Sequence, residues 1–537
     1  MVVAPTGTGK TEAGLLWIGN NKGFFILPIK TAIESIFDRI KNDIIENENL
    51  NKRVALLTGE TYSRYQRDDI RSTVEKNLEY VDETRRYAIP LTISTPDQIF
   101  DFVFKAKGCE IKYAMLNYSK FVIDEIQSYS ADLLPLIIFG IQKIIELGGK
   151  VAIITATFPP FVEDLLFRTD SNKKESDRSL FKKKEFKTGS ARHNIKIEKD
   201  MINSDYIYKH YKNNDSKHKK YLVVVNTVKK AQQLYEELES KGLKNLKIIH
   251  SKFDRKDRRK LENEIKDTGK TLDDNNNLIE EDVIWIATQV IEASLDIDLD
   301  YLFTELSDLN ALFQRMGRVN RKGKKSIDDP NIFIFTKIEE KYLKTENSKG
   351  FIDKGIYRIS KRAIENFNDG IISEEDKQNM INEYLTTDNL KKENSNFYVE
   401  YWNKYDYVKN LNFGELDSNK FRNILSYDVF PCDENGKFYR EEIYELEDKI
   451  QDIRQRMSDN YKNGVHNNSL IEKYMKLKDE ILSYTVSVGF YDYISYNNNF
   501  GEVEVSKYRK IRKLRCKYDE LGFRRCEKSD NNKGIFM

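Results

Sequence analysis

The sequence predicts an α/β protein: two parallel-sheet lobes in tandem, followed by a mainly helical carboxyl-terminal domain. Three observations carry that expectation. Short β-branched or aromatic runs alternate with helical patterns over the first third of the chain, and the alternation starts again after a polar interruption. A glycine-rich loop, Pro5-Thr6-Gly7-Thr8-Gly9-Lys10-Thr11, joins the first apolar run to the first helical one. Far downstream, Gln314 to Arg321 (Gln-Arg-Met-Gly-Arg-Val-Asn-Arg) sets three arginines and a glutamine on roughly two turns, a cluster that no core requires.

The first lobe is expected over residues 1–190. Its strand candidates are Val2 to Ala4, Phe24 to Leu27, Val54 to Leu57, Leu91 to Ser94, Phe121 to Ile123 and Val151 to Ile154. From Thr169 to Ser190 the chain is polar and lysine-rich with almost no apolar periodicity, which reads as a linker. The second lobe, residues 191–337, offers Asn194 to Ile197, Tyr221 to Val225, Leu246 to Ile249, Val283 to Ala287, Tyr301 to Thr304 and Ile332 to Phe335. Residues 338–537 change to Tyr-, Asn- and Lys-rich sequence. There Ile443, Leu446, Ile450, Ile453 and Met457 recur at helical spacing, as do Leu470, Tyr474, Leu477 and Ile481, predicting a helical hairpin, and Tyr484 to Val488 alternates like a strand.

Length and composition bound the function. A chain of 537 residues is too long for one ordinary domain. Charged residues are a third of it but nearly cancel to a net charge of +2, so a polyanionic partner must be sought in local clusters. No apolar run approaches the ~20 residues that span a bilayer, and no signal peptide opens the chain, so a cytoplasmic protein without membrane contact is expected. Cys109, Cys432, Cys516 and Cys526 are scattered and read as reduced structural thiols.

The motifs then assign chemistry. In the loop from Thr6 through Gly7, Thr8 and Gly9, glycines let backbone amides fold around phosphate. Lys10 reaches the outer phosphates of ATP and the Thr11 hydroxyl takes a place on Mg2+. Asp124-Glu125-Ile126-Gln127 follows the run Phe121-Val122-Ile123, so both carboxylates emerge at the carboxyl end of a strand, where doubly wound sheets bind ligand. Asp124 would hold the metal and Glu125 would polarise the attacking water. Thr155 and Thr157, at the end of a neighbouring strand, would couple the phosphate site to a nucleic-acid path. Ala287 to Asp298 leaves a strand of the second lobe with polar side chains for the interlobe face, and Asp298 is expected at the nucleotide. Arg318 and Arg321, three apart on one helical face, are the candidate arginine fingers, with Gln314 beside them as part of the catalytic set. Arg315 is balanced between that role and a structural salt bridge.

In this order the motifs resemble the DExH branch of superfamily 2 helicases. Finer details resemble the CRISPR-associated helicase-nuclease of type I systems: Thr95-Pro96-Asp97-Gln98, His250-Ser251-Lys252-Phe253 before Asp257-Arg258, Gln289 to Asp298, and Thr304-Glu305-Leu306 running through Gln314 into Asn320-Arg321. The resemblance covers about residues 1 to 337. It implies two RecA-like lobes, ATP-driven movement along single-stranded DNA as a monomer, and recruitment by a crRNA-guided surveillance complex of the Cascade type. It also places Thr95, Thr227, Ser251 and Thr288 on the nucleic acid. Rival expectations are an RNA helicase of the same superfamily and an ATP-dependent clamp that does not translocate.

Three departures stand out. Gln127 occupies a position where the family usually has His, which bears on its coupling role. None of His193, His210, His218, His250 and His466 is followed by Asp, so the family's His-Asp nuclease site is not expected in this chain. The phosphate-loop strand begins at residue 2, so the expectation is either a truncated start or a nuclease carried as a separate HD subunit.

Overall fold

The computed structural model describes residues 1–5, 8–28, 30–44, 52–59, 61, 65, 74–168, 181–186, 191–213, 219–270, 282–292, 296–345, 348–414, 426–462, 468–495, 500–507 and 509–526. In the first lobe the strands are β1 (Val2–Val3), β2 (Gly23–Ile26), β3 (Val54–Leu57), β4 (Leu91–Ser94), β5 (Lys120–Asp124), β6 (Lys150–Thr155) and β7 (Lys184–Glu185). They lie in the order β3-β4-β2-β5-β6-β1-β7, every pairing parallel. The second lobe contributes β8 (His193–Glu198), β9 (Lys220–Val224), β10 (Leu246–Ile249), β11 (Val283–Ala287), β12 (Tyr301–Glu305) and β13 (Ile332–Phe335) in the order β10-β11-β9-β12-β13-β8, again all parallel. Numbered within its own lobe, each set of six runs 3-4-2-5-6-1, so the chain builds one topology twice. The β-branched and aromatic content follows from this architecture: β2, β3, β9, β11 and β13 are buried along their whole length beneath helices on both faces.

Both sheets run further than the sequence pattern shows. β7, inside the expected linker, pairs with β1, with the Lys184 N–H on the Met1 carbonyl at 3.0 Å and the Phe186 N–H on the Val3 carbonyl at 2.8 Å. Gly370–Ile372 adds an antiparallel edge strand to β8, so the second sheet takes a strand from beyond residue 337. Two- and three-residue strands are too short to show a period, and each is held by its neighbour rather than by its own sequence.

Packing fixes the phosphate loop. The helix Lys10–Ile18 follows it directly, and a Cβ on Gly14 would stand 2.9 Å from the Phe25 ring and 3.1 Å from Val122. Glycine there lets the helix press onto the sheet that carries β2 and β5.

The remaining chain closes over both lobes. The helix Asn396–Asn410 packs on Leu134–Glu146 of the first lobe, where the Tyr405 hydroxyl donates to Gln142 Oε1 at 2.6 Å and its ring meets Phe139 at 5.9 Å. The predicted hairpin forms from Glu442–Lys462 and Asn468–Ser483, burying Ile443, Leu446, Ile450 and Ile453. It covers a four-stranded sheet of Val486–Gly489, Ser426–Cys432, Arg509–Arg515 and Glu502–Ser506. This unit grips the second lobe after β10: the Phe523 N–H donates to the Lys252 carbonyl at 2.8 Å, and Arg440 pairs with Asp257 at 2.7 Å. Among the described residues, no helix is long and apolar enough to cross a membrane.

Candidate nucleotide site between the lobes

The carboxyl ends of β1, β5 and β6 converge on a cavity of about 990 Å³ whose opposite wall comes from the second lobe. Gly9 holds φ +82°, a left-handed turn that a Cβ would strain, and starts the helix that presents Lys10 and Thr11. Lys10 Nζ reaches the Ala4 carbonyl at 3.0 Å and Glu125 Oε1 at 3.4 Å. Thr8 Oγ1 donates to the Pro5 carbonyl at 2.7 Å. Thr6 and Gly7 lie outside the described residues.

The acidic pair is placed by β5. Asp124, its last residue, is buried, and its Oδ1 finds no hydrogen-bond partner. Burial pushes its carboxyl up to about 8, the Glu125 charge adds to that, and Lys10 opposes it. Glu125 itself sits at φ +48°, a left-handed conformation that a glutamate pays strain to hold. Its Oε2 accepts from the Gln127 amide and lies 3.0 Å from Thr155 Oγ1. The same hydroxyl is 2.7 Å from Gln127 Oε1 and from the Thr157 carbonyl, so one threonine on β6 joins both ends of the acidic motif.

Polar contacts cross between the lobes. Thr157 Oγ1 is 3.1 Å from Asn310 Oδ1, and Gln314 Nε2 donates to Ser128 Oγ at 3.1 Å. Both partners ride on the helix Leu309–Met316, capped by Asp308 through the Ala311 N–H at 2.9 Å. Gln314 and Asn310 also line a second cavity of about 560 Å³, shared with Gln127 and Ser128.

The arginine cluster divides. The helix stops at Met316, Gly317 caps it and Asn320 turns left-handed at φ +44°, so Arg318 and Arg321 do not share the helical face expected of them. They reach the cavity from the turn that follows. Arg318 is buried, donating from Nε to the Ile291 carbonyl at 3.1 Å and from Nη2 to the Glu292 carbonyl at 3.0 Å, and burial followed by the Arg321 charge lowers it to about 10. Arg321 is more accessible and pairs with exposed Asp296 at 3.2 Å. Arg315 is wholly buried, bridged to Glu292 at 2.7 Å and bonded to Thr304 Oγ1, the Glu305 carbonyl, Asn226 and Ser307, the partner set of a structural salt bridge.

Asp298 departs from its expected place. It is buried away from the cavity lining, and its Oδ1 accepts the Arg321 backbone N–H at 2.9 Å, so it anchors the arginine turn while Asp296 faces the cavity. The nucleic-acid candidates stand at strand ends. Thr95 follows β4, and Thr227, Ser251 and Thr288 follow the adjacent strands β9, β10 and β11. Ser251 is exposed and Thr227 Oγ1 caps the helix Val228–Ser240 through the Lys230 N–H at 3.2 Å, but Thr288 is buried. Of the neighbouring basic residues, Lys252, Arg255 and Lys256 bond to Ser487, Asp428 and Tyr484 of the carboxyl-terminal unit.

A group that motif reading missed completes the far wall. Arg192, on the approach to β8, holds the Arg321 carbonyl at 2.8 Å and Glu374 at 2.8 Å. Lys377 binds Glu374 at 2.7 Å and lies 2.9 Å from His193 Nδ1. Burial opposes the Glu374 charge, but Lys377 and Arg192 outweigh it and hold this carboxyl down at about 2. These residues are distant in sequence, and each alone is an ordinary surface charge.

A family model described as DEAD/DEAH box helicase matches residues 1–165, and one described as CRISPR-associated nuclease/helicase Cas3, C-terminal, matches residues 217–324. A CRISPR-associated nuclease/helicase Cas3 of Methanothermobacter thermautotrophicus is 26% identical over 467 residues, covering 82% of this chain and 52% of the relative. The chain is thus similar to CRISPR-associated Cas3 helicases over most of its length. It spans about half the length of that Cas3 relative. The crystal structure of T. fusca Cas3 with ATP superposes with a TM-score of 0.72 at 16% identity, covering 98% of this chain and 66% of the other, and so shares the Cas3 helicase fold. A chain of a CRISPR RNA-guided surveillance complex in a pre-nicking state gives 0.63 at 15% identity over the same shares.

Proposed function

We propose that this chain, similar to Cas3 helicases, is an ATP-driven motor that moves along single-stranded DNA and unwinds target DNA in type I CRISPR interference, after recruitment by a crRNA-guided surveillance complex. The observation that carries this reading is the interlobe cavity, which joins Lys10, Asp124 and Glu125 of one lobe to Arg318 and Arg321 of the other. The residues suit a nucleotide with Mg2+: Asp124 offers a buried carboxylate oxygen with no partner, and Thr11 lines the same space. Thr11 and Asp124 would hold the ion, which supplies charge neutralisation for the phosphates. Lys10 binds the outer phosphates, with the described part of the loop around them. Glu125, oriented by Gln127 and Thr155, accepts a proton from the attacking water. Arg318 and Arg321 stabilise charge on the transferring phosphoryl group, and such groups contribute roughly 10³ to 10⁵ in rate.

Coupling runs through contacts that both lobes share. Thr157 with Asn310, and Ser128 with Gln314, join the acidic motif to the arginine helix. Thr95, Thr227 and Ser251 would touch backbone phosphates, a mode that tolerates any base sequence. The structural likeness to a chain of a CRISPR RNA-guided surveillance complex supports the recruitment step.

The test is ATP hydrolysis with and without nucleic acid. Single-stranded DNA is expected to raise turnover well above the level with RNA, and equal stimulation by both overturns the DNA assignment. Displacement of streptavidin from a biotinylated strand end separates a translocating motor from a static clamp.

A further inference from the structure

Phosphate chemistry occupies only part of the interlobe cavity. Across the first sheet the order β5-β6-β1-β7 sets Asp124 and Phe186 on opposite sides of the phosphate loop. Three strand spacings separate them, roughly 14 Å, which is about the reach of a nucleoside triphosphate. A nucleotide with its outer phosphates between Lys10 and the arginines therefore sends its base toward β7.

The features at that end suit a base. Phe186 follows β7, its N–H bonded to the Val3 carbonyl, and it is 48% exposed, belonging to no core cluster among the described residues. Lys184, two residues earlier, sets its ammonium 5.0 Å from the ring centroid. Opposite, the helix Glu374–Tyr384 turns Gln378, Asn379 and Asn382 into the cavity, with Gln378 Nε2 donating to Asn382 Oδ1 at 3.0 Å. The helix is held rigidly, because Glu374 and Lys377 at its start are tied to Arg192 and His193 on the second lobe. Carboxamides present a donor and an acceptor side by side, the pattern that pairs with the amino and ring nitrogens of adenine.

We infer that Phe186 and the carboxamide face of Glu374–Tyr384 form the base-binding end of the nucleotide cavity, stacking an adenine on the first lobe and reading its edge from the region beyond the second. The inference rests on the nucleotide reading above. It gives the nucleotide a third point of attachment, since the helix that reads the base is braced by the same Arg192 that holds the Arg321 carbonyl.

Calorimetric titration of the 537-residue chain with ATP, GTP and inorganic tripolyphosphate tests it. Phe186→Ala is expected to weaken ATP about ten-fold or more, while tripolyphosphate binding stays as in the unaltered chain and reports an intact loop. Phe186→Trp keeps ATP affinity and gains emission that ATP quenches and tripolyphosphate does not. Asn379→Ala with Gln378→Ala narrows the preference for ATP over GTP. Undiminished ATP affinity in Phe186→Ala, with Lys10→Ala binding none, overturns the base site and leaves the nucleotide reading standing. If the unaltered chain binds neither ATP nor tripolyphosphate, the nucleotide reading fails and this inference with it.

Discussion

The two lobes share a strand order but differ in how far their polar groups are satisfied. At the carboxyl end of β5 in the first lobe, Asp124 is buried with an unpartnered oxygen and Glu125 is held in a strained backbone conformation. At the corresponding end of the second lobe, after β12, the buried Arg315 has a partner for each of its nitrogens. Unmet polar groups cost stability and persist where a ligand completes them. A saturated network gives stiffness instead. The first lobe thus presents an unsatisfied acidic end to the cavity, and the second a saturated network behind the two arginines that line it.

That contrast can be broken from either side. The largest effect is expected at the receiving site: Lys10→Ala should lower ATP turnover by at least about 10²-fold and abolish tight nucleotide binding, measured by phosphate release and by titration, with little change in urea denaturation. Arg315→Leu should do the opposite. It strands Glu292, whose carboxyl is raised by burial and held down by Arg315, and should cost about 3–5 kcal/mol of stability on the urea midpoint. A pure activity loss with unchanged stability would place Arg315 in the chemistry after all.

Smaller effects probe the joints. Thr155→Val keeps shape but removes the hydroxyl shared by Glu125 and Gln127, and turnover should fall about ten-fold with nucleotide affinity retained. Glu374 tests the far wall through pH. Its folded value, about 2, lies below the ordinary 4.5, so its contribution to stability is complete above about pH 4.5 and is lost as pH falls toward 2. Acid unfolding of Glu374→Gln, followed by circular dichroism, should show a stability loss at neutral pH on the order of 1 to 2 kcal/mol that shrinks over that window.

The parts legible in the sequence are those where a period or a motif is local. The six-strand sets, the loop around Lys10, the acidic pair after β5 and the hairpin of residues 442–483 each carry their signal within a dozen or so neighbours. What escaped depends on distant pairing. β7 is two residues in a lysine-rich stretch, and Gly370–Ile372 has meaning only beside β8. Asp298 and Arg315 look like any charged residues near a motif, and only the backbone of Arg321 and the buried Glu292 reveal them as braces. Lys252, Arg255 and Lys256 look like ordinary surface charges in the sequence, yet the carboxyl-terminal unit claims all three. Arg318 and Arg321 reach the cavity from the turn after Gly317 and not from a helical face, because the helix stops at Met316.

The central claim is that the second lobe completes a site it does not itself bind, and Arg318→Ala measures it most directly. Calorimetry and phosphate release on one preparation should show ATP affinity within about three-fold of the unaltered chain and turnover lower by about 10³-fold. An Arg318→Ala chain that binds ATP and hydrolyses it at the normal rate would contradict the account.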